Sequence, residues 1–127
     1  MVMTTDSTVK PTLVLGASEK RDRYSNIAAR MLMEYDHDIY LLGRRPGAME
    51  ENPIVTDWPK PGSIDTVTLY VNPRNQEVYK QKILDLQPRR VIFNPGTENP
   101  GFYKDLRDHG IEVEIACTLV MLRAGMY

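Results

Sequence analysis

The sequence predicts an α/β fold, a three-layer sandwich in which a mainly parallel five-stranded sheet is covered by helices on both faces. Three observations carry this expectation. Short apolar, β-branched runs recur along the chain, stretches with helical spacing separate them, and the runs end in turns rich in glycine, proline or arginine. Strands that alternate with helices need right-handed crossovers, and crossovers make the sheet parallel. At 127 residues the chain makes one domain that buries about two-thirds of its unfolded surface.

In chain order, Met1 to Lys10 is polar and is expected to be a mobile tail, leaving 11–127 as the folded domain. Thr12-Leu13-Val14-Leu15 suits a central strand buried on both faces. Gly16-Ala17-Ser18 turns the chain and the charged loop Glu19 to Arg23 follows. Ser25 or Asn26 is the candidate N-cap of a helix whose apolar face is Ile27, Ala28, Met31, Leu32 and Tyr35. Asp36-His37-Asp38 ends that helix. Ile39-Tyr40-Leu41-Leu42 is the second strand, stopped by Gly43-Arg44-Arg45-Pro46-Gly47. The proline-rich stretch from Asn52 to Pro61 holds a short extended piece, Pro53-Ile54-Val55, and an apolar anchor, Trp58.

Thr66 to Val71 is the third strand, and Pro73 after Asn72 suits the first turn of a helix. Val78, Ile83, Leu84 and Leu86 give that helix a partial stripe. Arg90-Val91-Ile92-Phe93 is the fourth strand, ended by Asn94-Pro95-Gly96. A helix over Pro100 to His109 closes at Gly110, a suitable C′ residue. Ile111 to Ile115 alternates glutamate with apolar residues, which predicts an edge strand with a half-exposed face. Leu119 to Leu122 begins a terminal helical turn or two.

Net charge is −1, so no general basic field points to nucleic acid. No apolar run approaches the roughly 20 residues of a membrane span, and no basic-then-apolar leader opens the chain. The single cysteine, Cys117, has no partner for an internal disulfide, which suits a reducing, cytoplasmic setting. His37, His109 and Cys117 make no metal set. His109 beside Gly110 suits the negative end of a helix dipole, and His37 falls away from the strand-end rim.

In a sheet of this kind, ligands lie outside the carboxyl ends of the strands, where the strand order reverses. The segments expected there are Gly16-Ala17-Ser18, Gly43-Arg44-Arg45, Asn72-Pro73-Arg74, Asn94-Pro95-Gly96 and Cys117-Thr118. Gly16 begins a strand–turn–helix unit, and a helix N-terminus favours an anion such as a pyrophosphate. The full G-x-G-x-x-G fingerprint is absent. An NAD site would put Asp or Glu after the second strand to hold the ribose 2′-hydroxyl. Arg44 and Arg45 stand there instead, and paired guanidiniums suit a phosphate on the ribose. NADP carries one at the 2′ position, coenzyme A at the 3′ position.

Val14-Leu15-Gly16-Ala17-Ser18, the helix start Tyr24-Ser25-Asn26, Asn72-Pro73 and Asn94-Pro95-Gly96 come in an order and spacing that resembles a known family. From Pro11 to Leu122 the chain is similar to the small stand-alone CoA-binding domain proteins. These are related to the CoA-binding domain of succinyl-CoA synthetase α subunits and of acyl-CoA synthetases that form ADP. The resemblance implies a Rossmann-like fold with CoA across the strand ends. It implies that Gly16, Ala17 and Ser18 hold the pyrophosphate, with Ser25 and Asn26 beside it. Arg44 and Arg45 would meet the 3′-phosphate, Asn72 and Pro73 would flank the nucleotide, and Asn94, Pro95 and Gly96 would line the pantetheine path. Two positions depart from the family pattern: Asn94 stands for a usual glutamine, and Gly43-Arg44 for an Asn-Pro pair.

Cys117 is expected at the same rim, where a CoA thiol could form a disulfide with it if the pocket lowered its pKa. The synthetases phosphorylate a histidine in a separate domain, for which this length leaves no room. The expectation is therefore a non-catalytic binder of coenzyme A or an acyl-CoA, acting as regulator, carrier or partner of a synthetase, alone or as a homodimer. The alternatives are an NADP-dependent oxidoreductase, for which no tyrosine–lysine pair is evident, and an interaction module with a vestigial nucleotide rim.

Overall fold

A computed structural model describes residues 9–127. The polar stretch expected to be a tail lies outside the described residues, except for Val9 and Lys10. Lys10 is held: its backbone N–H donates to His37 Nδ1 at 3.0 Å and its Nζ to the Tyr127 carbonyl at 2.9 Å.

Seven strands form one sheet: β1 (Thr12–Leu15), β2 (Ile39–Leu42), β3 (Gly47–Met49), β4 (Asn52–Val55), β5 (Thr66–Leu69), β6 (Arg90–Phe93) and β7 (Glu112–Ile115). Their spatial order is β3-β4-β2-β1-β5-β6-β7. All neighbours are parallel except β3 and β4. From β1 the chain steps through β2 to β4 on one side, then returns through β5 to β6 and β7 on the other. The order therefore reverses between β1 and β5.

The expected five strands become seven because the glycine- and proline-rich stretch after the second strand pairs with itself. Gly47 faces Ile54 and Met49 faces Asn52 across a turn at Glu50, whose φ is 57°. Pro53 pairs with Ala48 in this outer hairpin, where a missing N–H costs little. Ile54 is the apolar member that ties the hairpin to β2, opposite Leu41.

Helices cover both faces because side chains alternate along each strand. Leu13, Leu15, Val67, Leu69, Val91 and Phe93 face one layer, with Ile83 and Leu86 of α3 (Lys80–Leu86) and Phe102 and Leu106 of α4 (Pro100–Asp108). Val14 and Leu41 face the other, with Ala28 and Leu32 of α1 (Tyr24–Glu34) and Leu119 and Leu122 of α5 (Thr118–Arg123). No helix among the described residues is long and apolar enough to cross a membrane.

Other boundaries also differ from expectation. The N-cap of α1 is Arg23, which makes no side-chain capping bond, while Ser25 and Asn26 are buried inside the helix. Asn26 is drawn in because its amide donates to the Ser18 carbonyl at 2.8 Å and its oxygen accepts from Arg30 Nε at 2.8 Å. The third strand stops at Leu69, two residues early. The helix after it breaks into α2 (Pro73–Gln76), a 3-10 turn (Glu77–Tyr79) and α3, so Val78 leaves the apolar stripe and is 76% exposed. β7 is an edge strand with its ends exposed, as its alternation predicts.

Candidate functional site

The carboxyl ends of β1 and β2 turn on glycines that leave no room for a side chain. Gly16 follows β1 with φ +97°, and a Cβ there would lie 2.8 Å from the Tyr70 carbonyl oxygen. Only glycine meets both demands cheaply. Gly16 N–H and Ala17 N–H both donate to the Leu42 carbonyl at 3.0 Å, so the turn is fastened to the end of β2. These two backbone donors, expected to face an anion, are thereby occupied. The loop runs eight residues, Gly16 to Arg23, before α1 begins. Tyr24 and Ser25 N–H have no partner among the described residues, since the first helical bonds run from Asn26 and Ile27 back to the Arg23 carbonyl. The uncapped start of α1 thus carries the donors and the positive dipole end.

After β2, Gly43 packs so tightly that a Cβ would lie 2.9 Å from Ile54 Cγ2 and 3.0 Å from the Ala17 carbonyl. Arg44 and Arg45 follow, both exposed, and neither makes a hydrogen bond or ion pair among the described residues. The facing loop reaches over to the β3–β4 hairpin in two places. Glu19 Oε2 accepts from Ala48 N–H at 3.0 Å, and Arg21 pairs with Glu50 at 3.3 Å.

After β5, Tyr70 and Val71 lead into Asn72, whose Oδ1 accepts from Asn75 N–H at 2.9 Å and caps α2, with Pro73 in its first turn. Burial pushes the Tyr70 phenol up to about 12, against the smaller opposite pull of the Thr68 and Thr118 hydroxyls. After β6, Asn94 is 1% exposed and its side chain is fully engaged. Its Nδ2 donates to Thr68 Oγ1 (2.8 Å) and the Leu69 carbonyl (3.0 Å), and its Oδ1 accepts from Thr118 N–H at 2.9 Å. Asn94 therefore joins β5, β6 and the start of α5 from below the rim. Gln76, also buried, donates to the Val71 and Thr97 carbonyls and accepts from Asn99, holding α2 against the loop that carries Pro95 and Gly96.

Two adjoining cavities open along this rim. The larger, about 700 Å³, lies between the Gly16–Glu19 turn, the Gly43–Gly47 segment and Val78 and Tyr79. The smaller, about 370 Å³, lies between the start of α1 and Pro95, Gly96 and Thr97. Gly16, Ser18, Arg23, Tyr70 and Asn72 line both, so they form one groove across the β1/β5 reversal.

Most sequence-predicted site residues meet in this groove. Gly16, Ala17, Ser18, Arg44, Arg45 and Asn72 line the larger part, and Ser25, Pro95 and Gly96 the smaller. Asn26, Pro73, Asn94 and Cys117 line neither. Cys117 is half-buried and packs against the core on the α1/α5 face. The groove also brings in Glu19, Arg23, Tyr70, Val78 and Tyr79, which were not expected as site residues. Their signal was positional: each lies within a few residues of a strand end or a helix start.

The remaining titratable candidates lie elsewhere. His37, beside the amino end of β2, accepts from Lys10 N–H and sits 4.9 Å from the Tyr127 ring. Burial, with the nearby Lys10 and Arg90 charges, holds its pKa below the usual imidazole value. His109 is exposed at the end of α4, its Nδ1 2.8 Å from the Asp105 carbonyl. Among the described residues no group of three or more His, Cys, Asp or Glu could hold a metal ion.

Comparison with known proteins bears on this rim. The family model described as "CoA binding domain" matches residues 10–123. A crystal structure titled only as an uncharacterized protein superposes with a TM-score of 0.91 at 45% identity, covering 94% of this chain and 99% of that one. A protein of Thermus thermophilus superposes at 0.82 with 23% identity, covering 95% and 92% of the two chains. A hypothetical protein from Pyrococcus horikoshii superposes at 0.79 with 22% identity, covering 93% and 84%. These last two show the fold alone. No match was found among curated proteins. The family match spans nearly the whole folded body, including every segment of the groove, and the chain belongs to the CoA-binding domain family.

Proposed function

We propose that this protein binds coenzyme A or an acyl-CoA in the strand-end groove and catalyses no reaction of its own. The observation that carries the reading is the continuous groove at the β1/β5 reversal, with two arginines at one end that are unpaired among the described residues. The ribose 3′-phosphate goes to Arg44 and Arg45, where charge-assisted hydrogen bonds favour it. The pyrophosphate lies over Gly16, Ala17 and Ser18 and takes its donors from the start of α1 at Tyr24 and Ser25. Pantetheine follows the smaller cavity past Pro95 and Gly96. Asn72 and Pro73 shape the rim between the two parts, and Asn26 and Asn94 hold its loops from beneath.

Family membership supports CoA as the ligand. A regulator, a carrier or the partner of a synthetase subunit all fit a module that holds CoA without transforming it.

A thermal-shift panel under reducing conditions tests the reading, with CoA, acetyl-CoA, dephospho-CoA, NADP, NAD and ATP. A ligand at about 100 times its Kd adds roughly 2.7 kcal/mol of stability, several degrees for a domain this size. CoA and acetyl-CoA are expected to shift the melting temperature more than NADP does. A preference for NADP turns the reading toward a reductase, and no shift from any ligand refutes nucleotide binding at this rim.

A further inference from the structure

Among the described residues Glu19 is the one acidic side chain lining the larger cavity, where Arg23, Arg44 and Arg45 also lie. A flexible glutamate among guanidiniums ordinarily pairs with one of them. This one does not: its Oε2 accepts from the backbone N–H of Ala48 at 3.0 Å, and its Oε1 has no partner among the described residues. A Cβ on Gly47 would lie 2.8 Å from the Glu19 carboxyl carbon and 2.9 Å from Oε2, so the bare glycine leaves room for the carboxylate to lie against the hairpin. Glu19 thus shares the cavity wall with Arg44 and Arg45 and, among the described residues, pairs with neither.

Resting on the CoA reading of this groove, we propose that Glu19 determines which ribose hydroxyl of the ligand carries the phosphate. A carboxylate accepts a hydrogen bond from a free hydroxyl and repels a phosphate, while a guanidinium attracts the phosphate. A ribose with a 3′-phosphate and a free 2′-hydroxyl offers these two partners on adjacent carbons. Arg44 and Arg45 take the phosphate, and Glu19 takes the hydroxyl next to it. In dinucleotide-binding folds the acidic group that reads a ribose hydroxyl follows the second strand. Here arginines occupy that place, and the carboxylate arrives from the loop after β1.

Calorimetric titration of the whole protein and of Glu19→Gln with adenosine 3′,5′-bisphosphate and adenosine 2′,5′-bisphosphate tests the assignment. Glutamine keeps the size and an acceptor oxygen but removes the charge. The unaltered protein is expected to prefer the 3′ isomer. In Glu19→Gln that preference should fall about tenfold, mainly because the 2′ isomer binds better once the repulsion is gone. Ala48→Pro, which keeps the charge but removes the N–H that fixes it, should also narrow the preference. A role in tethering the loop alone would weaken both isomers in parallel, so a parallel loss overturns the proposal, as does an unchanged ratio. If the unaltered protein binds CoA but the ratio does not move, only Glu19 loses its role. If it binds neither CoA nor either isomer, the CoA reading fails with it.

Discussion

The chain carries the dipeptide Arg-Arg twice beside a strand of the parallel sheet, and the two copies live opposite lives. Arg89 and Arg90 stand at the amino end of β6. Arg89 pairs with Asp65 at 2.8 Å and with Glu112 at 2.6 Å. Arg90, only 3% exposed, donates to Thr66 Oγ1 at 2.8 Å and lies 4.4 Å from the centroid of the Tyr127 ring, with Glu114 at 3.9 Å. Arg44 and Arg45, at the carboxyl end of β2, line a cavity and have no partner among the described residues. The difference teaches where to look for function. Guanidiniums at the amino end are spent on the fold, so they specify structure. Those at the carboxyl end are left unspent at the place where a parallel sheet presents its ligand.

The contrast breaks most sharply at the turn that separates the two ends. Gly16→Val imposes a branched side chain at φ +97° and within 2.8 Å of the Tyr70 carbonyl. It should cost about 3 kcal/mol of stability in urea denaturation and abolish CoA binding along with dephospho-CoA binding. Near-native stability with intact binding would mean that the groove does not depend on this turn.

The two arginine pairs should then separate by readout. Arg44→Ala with Arg45→Ala should weaken CoA, but not dephospho-CoA, by about 1.5–3 kcal/mol, while stability stays within roughly 0.5 kcal/mol. Arg90→Ala should do the reverse, lowering stability by about 2 kcal/mol through its lost hydrogen bond and ring contact, with CoA affinity unchanged. Titration calorimetry and denaturation on the same samples decide it, and equal effects on CoA and dephospho-CoA would remove the phosphate from Arg44 and Arg45.

The smallest effect belongs to pH and to the amino end alone. Burial and the neighbouring Lys10 and Arg90 charges lower the His37 pKa, and its neutral Nδ1 accepts the Lys10 N–H. The unfolded chain, titrating near about 6.5, then binds more protons than the folded one. The stabilisation is fully present above that value and is lost as pH falls through the folded value. The melting-temperature advantage of the natural protein over His37→Gln should therefore shrink below pH ~6.5, with CoA affinity at a fixed pH unaffected. An advantage that grows on acidification would reverse the assignment.

Much of the fold was legible in residue pattern. The β1, β2, β5 and β6 runs are apolar or β-branched because both faces are covered, and β7 alternates because it is an edge. The extended piece Pro53-Ile54-Val55 was legible and is most of β4, but its pairing with β3 was not, since Gly47 and the Glu50-Glu51 turn carry none of the usual strand or hairpin signals. The groove was legible in outline, because its segments follow strand ends. The work of individual side chains in it was not. Asn94 looked like a rim residue and proves to be a buried clamp, while Glu19 looked like one charge in a solvated loop and proves to be seated against Gly47.

The sequence by itself determined the alternation of strand and helix, the glycine after β1 and the family, because these depend on local backbone preference and on the spacing of apolar residues. The tertiary structure decided which arginines lack a partner among the described residues, where the carboxylate of Glu19 rests and which asparagine faces the core. Those outcomes depend on partners far apart in the chain, Thr66 for Arg90 and Ala48 for Glu19, and no local spacing encodes a partner brought close only by the folded sheet.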